Sequence, residues 1–373
     1  MSDVRSKTAA KSITPSFEYE ESPTLQGKIM GILYVFTIIF MTLGFGFYIV
    51  VPVLILVSWW APTLAEHVYR IVLGLFCATV SGILEHLGGM EVVVTTEDGE
   101  TFEFKESDRI LLISNHRTEI DWLLHWNFAM KIGRHDRIMT MLKAPLKNVP
   151  LIGWALNILK FPFVQRNWAE DQQSLARIIN AYKSRPWGTW LAMFPEGTAL
   201  YSKTFTESQE FAKSKNRTPL NFVLEPRLKG FTLCIDKFQP DYILDMTMAY
   251  PELREGIRPS PLRILRGQFP RAVHFHVRRF TLDEVMAAES TDIWLYDRFT
   301  AKEELLSKFY SKSSGTFDKP VAKTLPSSLW TFAKSLFAVA TIVAALFYAL
   351  IFWSYSFTWL VLMISIVYIS KFF

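Results

Sequence analysis

Two long stretches of the chain contain no charged residue. One runs from Ile29 through Ala65 and the other from Ser335 through Ser370. Both are longer than the ~20 consecutive apolar residues that cross a bilayer as a helix. The pattern therefore predicts membrane-embedded helices in an N-terminal segment, residues 29–90. It also predicts a C-terminal membrane segment, residues 326–373, that forms one span or a hairpin.

Between these two segments, short apolar runs alternate with stretches of helix length. Runs typical of strands lie at residues 110–114, 138–142, 161–165, 190–194, 243–249 and 272–280. Helix-length stretches follow Asp121 and extend from Glu170 to Lys183. Strands that alternate with helices are typical of a mostly parallel or mixed sheet flanked by helices. We therefore predict an α/β domain over residues 91–325. In it, residues 91–104 have the pattern of a hairpin that turns at Asp98–Gly99.

Composition supports a membrane protein. Half of the 373 residues are hydrophobic and the mean hydropathy is +0.18, which is more apolar than usual for a soluble domain of this size. The net charge of +5, next to membrane segments, indicates an anionic lipid surface rather than nucleic acid as the partner. Two cysteines are too few for a disulfide framework. The polar residues 1–28 are expected to form a flexible tail.

Ionisable residues gather where the strand predicted at 110–114 ends. His116 lies in the loop after this strand, and Asp121 stands where we expect a helix to begin. Reactive groups collect at the carboxyl ends of strands in α/β sheets. A carboxylate that binds one imidazole nitrogen makes the other nitrogen a general base. The same segment also suits a capped helix start, with Asn115 or Thr118 as the N-cap, so both interpretations stay open from spacing alone.

A second polar group follows the strand predicted at 190–194. Pro195 stops strand pairing, and Gly197 permits close approach of a ligand to the backbone. Glu196 has the chemistry to bind substrate hydroxyl groups or to orient a cation. An ordinary turn with a helix cap is the alternative interpretation of this Pro-Glu-Gly-Thr segment.

Two basic residues lie between these groups. Arg166 comes just after an apolar run and suits bidentate recognition of phosphate, although a surface salt bridge is equally consistent with it. Lys143 lies near prolines and a glycine, either close to an anionic head group or as a solvated side chain. His274 and His276 share one strand face, but no cysteine or acidic residue has the spacing of a further metal ligand. We therefore interpret these histidines as ordinary strand residues.

These motifs occur in one order behind a membrane segment. Residues 115–122 read NHRTEIDW, residues 163–166 read FVQR and residues 194–198 read FPEGT. The set resembles the glycerophospholipid acyltransferase family, whose signature is a His-x4-Asp motif followed by a Phe-Pro-Glu-Gly-Thr motif. The wider context over about residues 105–310 resembles the eukaryotic lysophosphatidic acid and lysocardiolipin acyltransferases.

The resemblance implies transfer of an acyl chain from acyl-CoA to the free hydroxyl of a lysophospholipid, first of all 1-acyl-sn-glycerol 3-phosphate, to give phosphatidic acid. It implies His116 as the general base, oriented by Asp121, with acyl-CoA as a co-substrate and with no cofactor or metal. The residues matched to binding of the acceptor's phosphate and glycerol are Arg166, Glu196, Gly197 and Thr198, with Lys143 as an addition. The expected location is the endoplasmic reticulum membrane, with a mitochondrial membrane as the alternative. No pattern indicates an oligomeric state.

Three other functions stay open from the sequence. Lysocardiolipin or another lysophospholipid is the alternative acceptor within the same family. A membrane lipid-binding protein without activity would keep the fold, but such relatives tend to lose one of the polar motif residues that are present here. Metal-dependent hydrolysis by His116 and Asp121 would need further ligands at matching spacing, which the sequence does not contain.

Overall fold

A computed structural model describes the chain over residues 23–99, 102–165, 167–311, 315–322, 328–352 and 355–370. The strands are β1 (Glu91–Thr95), β2 (Ile110–Ser114), β3 (Ile138–Thr140), β4 (Leu142–Lys143), β5 (Phe163–Val164), β6 (Trp190–Met193), β7 (Tyr242–Ala249) and β8 (Ala272–Thr281). Residues 1–22 of the expected tail lie outside the described residues.

Helices make up most of the remaining described chain. The α-helices are α1 (Leu25–Phe45), α2 (Val51–Leu56), α3 (Pro62–Gly82), α4 (Asp121–Lys131), α5 (Ile152–Ile158), α6 (Trp168–Lys183), α7 (Ser202–Ser214), α8 (Leu228–Phe238), α9 (Pro261–Leu265), α10 (Leu282–Met286), α11 (Thr291–Ser311), α12 (Ser328–Phe352) and α13 (Tyr355–Ile369). Short π-helical turns lie at Gly46–Val50 and Ile83–Leu87, and 3₁₀ turns lie at Ala144–Asn148 and Pro251–Glu255.

Six strands form one mixed, mostly parallel sheet, in the order β1-β8-β7-β2-β6-β3. All neighbouring pairs are parallel except β7 and β8, which are antiparallel. The central strand β2 reads ILLIS and is buried at every position, because helices cover both faces of a parallel sheet and leave no polar side to the strand. The predicted fold class, an α/β sheet flanked by helices, is confirmed.

The predicted hairpin over residues 91–104 is wrong. β1 pairs in parallel with β8, with Glu91 opposite Ala272, and residues 102–105 form no strand. Gly99 does adopt a left-handed φ of 77°, so the local turn signal was real. The ten-residue strand β8 offers β1 a partner that lies far away in sequence, and the local pattern gave no sign of it.

Three helices of the described chain are long and apolar enough to cross a membrane. They cover Leu25–Leu56, Pro62–Leu87 and Ser328–Ala345. The helix that begins at Pro62 packs against α4 and α12. At Gly82 a Cβ atom would lie 2.1 Å from the Phe332 ring of α12, so only glycine permits this close approach. The C-terminal helix α13 contributes Met363 and Val367 to a cluster with Phe47 and Val51. The membrane-type helices are therefore packed onto one another and onto the α/β domain.

Candidate active site

The candidate residues meet at one edge of the sheet. Strands β2, β3, β6 and β7 run in the same direction, so their carboxyl ends lie at the same edge. His116 follows β2 by two residues, Glu196 follows β6 by three, and Tyr250 follows β7 directly. The sheet therefore brings together groups that are up to 134 residues apart in the chain.

Asn115 joins the ends of two neighbouring strands. Its side-chain Nδ2 donates to the Met248 carbonyl at 3.0 Å, and its Oδ1 accepts from the Met248 N–H at 2.7 Å. The side chain is buried, and its two hydrogen bonds extend the pairing of β2 with β7 beyond the end of β2. Asn115 is therefore not the N-cap of α4, which begins at Asp121 after Ile120.

The carboxylate of Asp121 accepts hydrogen bonds from several residues of the loop that precedes it. Its Oδ2 lies 2.9 Å from His116 Nδ1 and accepts the backbone N–H groups of Arg117 and Thr118 at 2.5 and 2.9 Å. Its Oδ1 accepts the Thr118 hydroxyl at 2.7 Å and the Tyr250 hydroxyl at 2.5 Å. Burial works against ionisation of this fully buried group. The hydrogen bonds outweigh burial and lower the pKa of Asp121, so it is anionic at neutral pH.

An anionic Asp121 determines the tautomer of His116. A carboxylate only accepts hydrogen bonds, so His116 Nδ1 carries the proton and donates it. The lone pair of the neutral imidazole is then on Nε2, to which no described residue forms a hydrogen bond. The ring stacks on Phe194, with centroids 4.1 Å apart and an angle of 17° between planes. The imidazole is thus held on one side by a charge and on one face by an aromatic ring.

Glu196 connects the two motifs through the backbone. Its Oε1 accepts the His116 N–H at 2.9 Å and its Oε2 accepts the Leu224 N–H at 3.2 Å. The side chain is buried, and this burial raises the pKa of Glu196 to about 8 against the lowering effect of both bonds. The carboxyl group thereby fixes the position of the His116 backbone. Its binding of acceptor hydroxyl groups stays a prediction.

Gly197 and Thr198 continue the turn after Glu196. The Gly197 N–H donates to the Phe194 carbonyl at 2.9 Å, and Gly197 has a φ of 72° that favours glycine. A Cβ atom there would lie 3.1 Å from the side chain of Arg227. Thr198 is half-buried. This turn is as tight as the sequence indicates.

Lys143 lies on a small second sheet beside the main one. It is exposed at the end of β4, which pairs with β5 so that Lys143 is opposite Val164. β5 leads toward Arg166, which lies outside the described residues. β3 ends three residues before Lys143, so the lysine extends from the same sheet edge as His116.

Comparison with known proteins identifies the family. Two family models match in succession, Acyltransferase over residues 94–219 and Acyltransferase C-terminus over residues 263–338. Lysocardiolipin acyltransferase 1 of Danio rerio is 36% identical over 243 residues, covering 64% of this chain and 61% of the relative. The chain belongs to the glycerophospholipid acyltransferase family.

Two further proteins that match this chain are named as acylglycerophosphate acyltransferases. A probable 1-acyl-sn-glycerol-3-phosphate acyltransferase 5 of Arabidopsis thaliana is 38% identical over 207 residues, covering 55% of this chain and 54% of the relative. The matched part of the chain thus spans less than two thirds of the length of either curated relative. The crystal structure of a 1-acyl-sn-glycerophosphate acyltransferase from Thermotoga maritima aligns over 74% of this chain and 95% of that chain, with 14% identity and a TM-score of 0.46.

Two residues of this candidate active site were not predicted from the sequence. Tyr250 donates to Asp121 from the end of β7, and only the parallel pairing of β2 with β7 brings it there. His125 of α4 binds the Ser114 hydroxyl at 2.8 Å and stacks on Phe194. Burial lowers the pKa of His125 to about 3, so this histidine is neutral and adds no charge beside His116. A hydroxyl at the end of a central strand was the available clue to Tyr250.

The histidine pair lies on β8, two strands away from β2. Because β8 is antiparallel to β7, the first half of β8 lies beside the carboxyl end of β7, with His274 opposite Ala249 and His276 opposite Thr247. His276 contacts the Thr95 hydroxyl and Glu97, each at 3.2 Å. Within the described ranges, no three His, Cys, Asp or Glu side chains are grouped to hold a metal ion.

Proposed function

We propose that this chain is a membrane-bound transferase that moves an acyl chain from acyl-CoA to the free hydroxyl of a lysophospholipid. The proposed acceptor is 1-acyl-sn-glycerol 3-phosphate and the product is phosphatidic acid. The observation that carries the proposal is the 2.9 Å bond between His116 Nδ1 and a fully buried, anionic Asp121. It leaves Nε2 of His116 as the basic atom of the site.

The reaction needs one proton acceptor and no nucleophile from the protein. His116 Nε2 takes the proton from the acceptor hydroxyl as the hydroxyl oxygen attacks the thioester carbonyl. A tetrahedral oxyanion forms and then collapses, because the C–S bond breaks more readily than the new C–O bond. CoA leaves as a thiolate, and the proton on Nε2 is returned to the sulfur or to water.

Asp121 and Tyr250 support the charged state of His116. The imidazolium that forms during attack is positive, and the buried Asp121 carboxylate lies directly against it. In a buried site such a charge pair is stronger than in water. The Tyr250 hydroxyl and the Thr118 backbone hold Asp121 ionised and correctly oriented, so no reorganisation is needed when the proton arrives.

Acceptor binding is assigned to the remaining motif residues. Arg166 and Lys143 supply positive charge for the phosphate, and of these two Lys143 is opposite Val164 in the pairing of β4 with β5. Gly197, whose N–H donates to the Phe194 carbonyl, permits close approach of the glycerol part to the backbone, and Thr198 offers a hydroxyl. Glu196 contributes by holding the turn, with its carboxyl oxygens on backbone N–H groups.

Membrane attachment follows from the substrates. Both acyl chains partition into lipid, whereas the nucleotide part of acyl-CoA stays in water, so a site at the bilayer surface serves both. The three apolar helices supply the attachment. We assign the protein to the endoplasmic reticulum membrane, with a mitochondrial membrane as the second location. Fractionation against marker enzymes of both membranes distinguishes the two.

An acceptor panel tests the proposed reaction. Purified protein is incubated with one radiolabelled acyl-CoA and either lysophosphatidic acid, monolysocardiolipin or other lysophospholipids. We expect the label to appear in phosphatidic acid at the highest rate. Faster labelling of cardiolipin would favour the second acceptor, which the name of the Danio rerio relative also favours. Release of the label as free fatty acid in every case would contradict acyl transfer.

A further inference from the structure

Arg258 is a buried cation next to the candidate active site that the proposed mechanism does not use. Its segment begins after the 3₁₀ turn Pro251–Glu255, which itself follows Tyr250 at the end of β7. The segment therefore starts at the sheet edge that carries His116. Only 8% of Arg258 is exposed, which is uncommon for a residue that is always charged.

The backbone on both sides of Arg258 is fixed. Gly256 adopts a left-handed φ of 80° and the Ile257 N–H donates to the Glu252 carbonyl at 3.0 Å. On the other side, the Ser260 hydroxyl accepts the Arg263 N–H and caps α9. Arg258 is thus presented from a short segment that is anchored at each end, so its side chain is largely preorganised.

The guanidinium lies against the residues that adjoin His116. Its Nη1 donates to the Leu200 carbonyl at 2.8 Å, while the Leu200 N–H donates to the His116 carbonyl at 2.9 Å. The guanidinium carbon lies 4.5 Å from the ring centroid of Tyr201. Its Nε is 3.8 Å from Oε2 of Glu119, which is three residues from His116. The backbone of Leu200 therefore links Arg258 to the backbone of His116, the proposed base.

Most of the hydrogen-bonding capacity of Arg258 is unused. Nε and Nη2 are both buried and form no hydrogen bond with any described residue, and the same is true of Oε2 of Glu119. At 3.8 Å the two side chains attract each other without a hydrogen bond. A buried donor without a partner has lost its hydrogen bonds to water without replacement, and this loss costs more when the donor is charged. Buried groups of this kind are rare and need an explanation.

We propose that Arg258 forms an anion subsite for a phosphate group of a substrate. Two adjacent guanidinium N–H groups, Nε and Nη2, present the fork that binds phosphate oxygens in a bidentate manner. The Tyr201 ring contacts the guanidinium and holds its plane in a fixed orientation. Glu119 occupies the approach to Nε and competes with the incoming anion. The source of the phosphate is either the acceptor lipid's head group or CoA.

Arg258 suits this role better than Arg117, the buried arginine of the loop after β2, although Nε and Nη2 of Arg117 also form no hydrogen bond with a described residue. The Arg117 side chain is only 1% exposed, with its Nη1 on the Phe222 carbonyl and its guanidinium carbon 5.2 Å from the centroid of the Tyr310 ring. Glu119 beside Arg258 keeps 39% of its side chain exposed. The Arg258 subsite therefore has an opening at Glu119.

Equilibrium binding to the full chain in detergent micelles tests the subsite, with CoA and lysophosphatidic acid as separate probes. A single substrate permits no acyl transfer, so the result does not depend on turnover. The identity of the substrate at this subsite rests on the proposed function. If the wild type transferred no acyl chain, that result would count against the proposed function and not against the subsite. R258Q is expected to weaken binding of one probe about tenfold, as for loss of hydrogen bonds to a charged group. The probe that responds identifies the phosphate.

Two further variants make the outcome decisive. R258K keeps the charge but not the fork and should recover part of the affinity. E119Q removes the competing charge and should bind the same probe more tightly than the wild type, whereas a purely structural Arg258–Glu119 pair predicts weaker binding. R177Q, at an exposed arginine of α6, is the matched control and should bind as wild type. Unchanged binding of both probes by R258Q would overturn the proposal. If R258Q does not fold, failure of E119Q to tighten binding overturns it.

Discussion

At the scale of single residues, the site depends on one carboxylate with several donors. Asp121 is five residues after His116, and the intervening Arg117 and Thr118 both donate backbone N–H groups to it. These two residues between His116 and Asp121 therefore help to keep Asp121 ionised. The hydroxyl of Tyr250, at the end of another strand, donates a further hydrogen bond to the same carboxylate.

Replacing Tyr250 by Phe should weaken the stabilisation of the Asp121 carboxylate without removing the proposed base, His116. Asp121 has a lowered pKa in the folded protein, so its contribution to stability is present above its unfolded pKa of about 3.9 and is lost as pH falls through the folded value. Y250F raises the folded pKa toward the unfolded one. We expect a loss of about 1–2 kcal/mol at pH 7 that becomes smaller only below pH 4, as pH falls through the folded pKa of Asp121. Thermal unfolding from pH 7 to below pH 4 measures it, and a loss that grows below pH 4 would contradict a stabilised Asp121 carboxylate.

Glu196 should produce the opposite pH dependence. Its pKa is raised to about 8 by burial, so its stabilising contribution is complete below its unfolded pKa of about 4.3 and declines as pH rises to about 8. The decline is at most about 1.4 kcal/mol per pH unit. The wild type should therefore lose stability relative to E196Q between pH 5 and pH 8, which Tm differences would record. A constant difference across this interval would argue against a protonated Glu196.

At the scale of elements, the sequence predicted the strands at the sheet edge but not all of their partners. The apolar runs that became β2 and β6 end where polar motif residues begin, so the edge carrying His116 and Glu196 could be predicted locally. β1 was assigned the wrong partner because β8 lies about 180 residues away. Tyr250 and Arg258 were missed for the same reason, since only the pairing of β2 with β7 brings them near His116.

A buried ion pair joins α11 to β7. Lys302 Nζ forms an ion pair with Asp245 and donates to the Met246 carbonyl at 2.6 Å. Both side chains are buried. K302M should destabilise the protein by about 3–5 kcal/mol, because it leaves the Asp245 charge buried without a partner. Adding D245N to K302M should restore part of this loss. Chemical unfolding measures both, and equal stability of K302M and the wild type would show that the pair contributes nothing.

At the scale of the whole molecule, apolar helices from both ends of the chain pack beside the α/β domain. α13 contacts the N-terminal helices through Met363 and Val367, and α12 contacts α3. Trp59 and Trp60, between α2 and α3, are 86% and 74% exposed, as expected of aromatic side chains that lie at a membrane interface. Through α3 these apolar helices also contact α4, the helix that begins with Asp121.

The three apolar helices predict how the protein behaves in cell membranes. The full chain should remain in the membrane pellet after extraction with alkaline carbonate, which releases proteins bound only by charge. Detergent should release it. Recovery of most of the protein in the carbonate supernatant would contradict embedding of the three apolar helices.

The central claim is that His116 is the general base of acyl transfer. The most direct measurement is CoA release by H116A with lysophosphatidic acid as the acceptor, compared with the wild type and with H67A, a matched change at an exposed histidine of α3. We expect a loss of at least about 100-fold in kcat for H116A, with wild-type Tm and membrane insertion, and near-normal turnover for H67A. Turnover by folded H116A at the wild-type rate would contradict it.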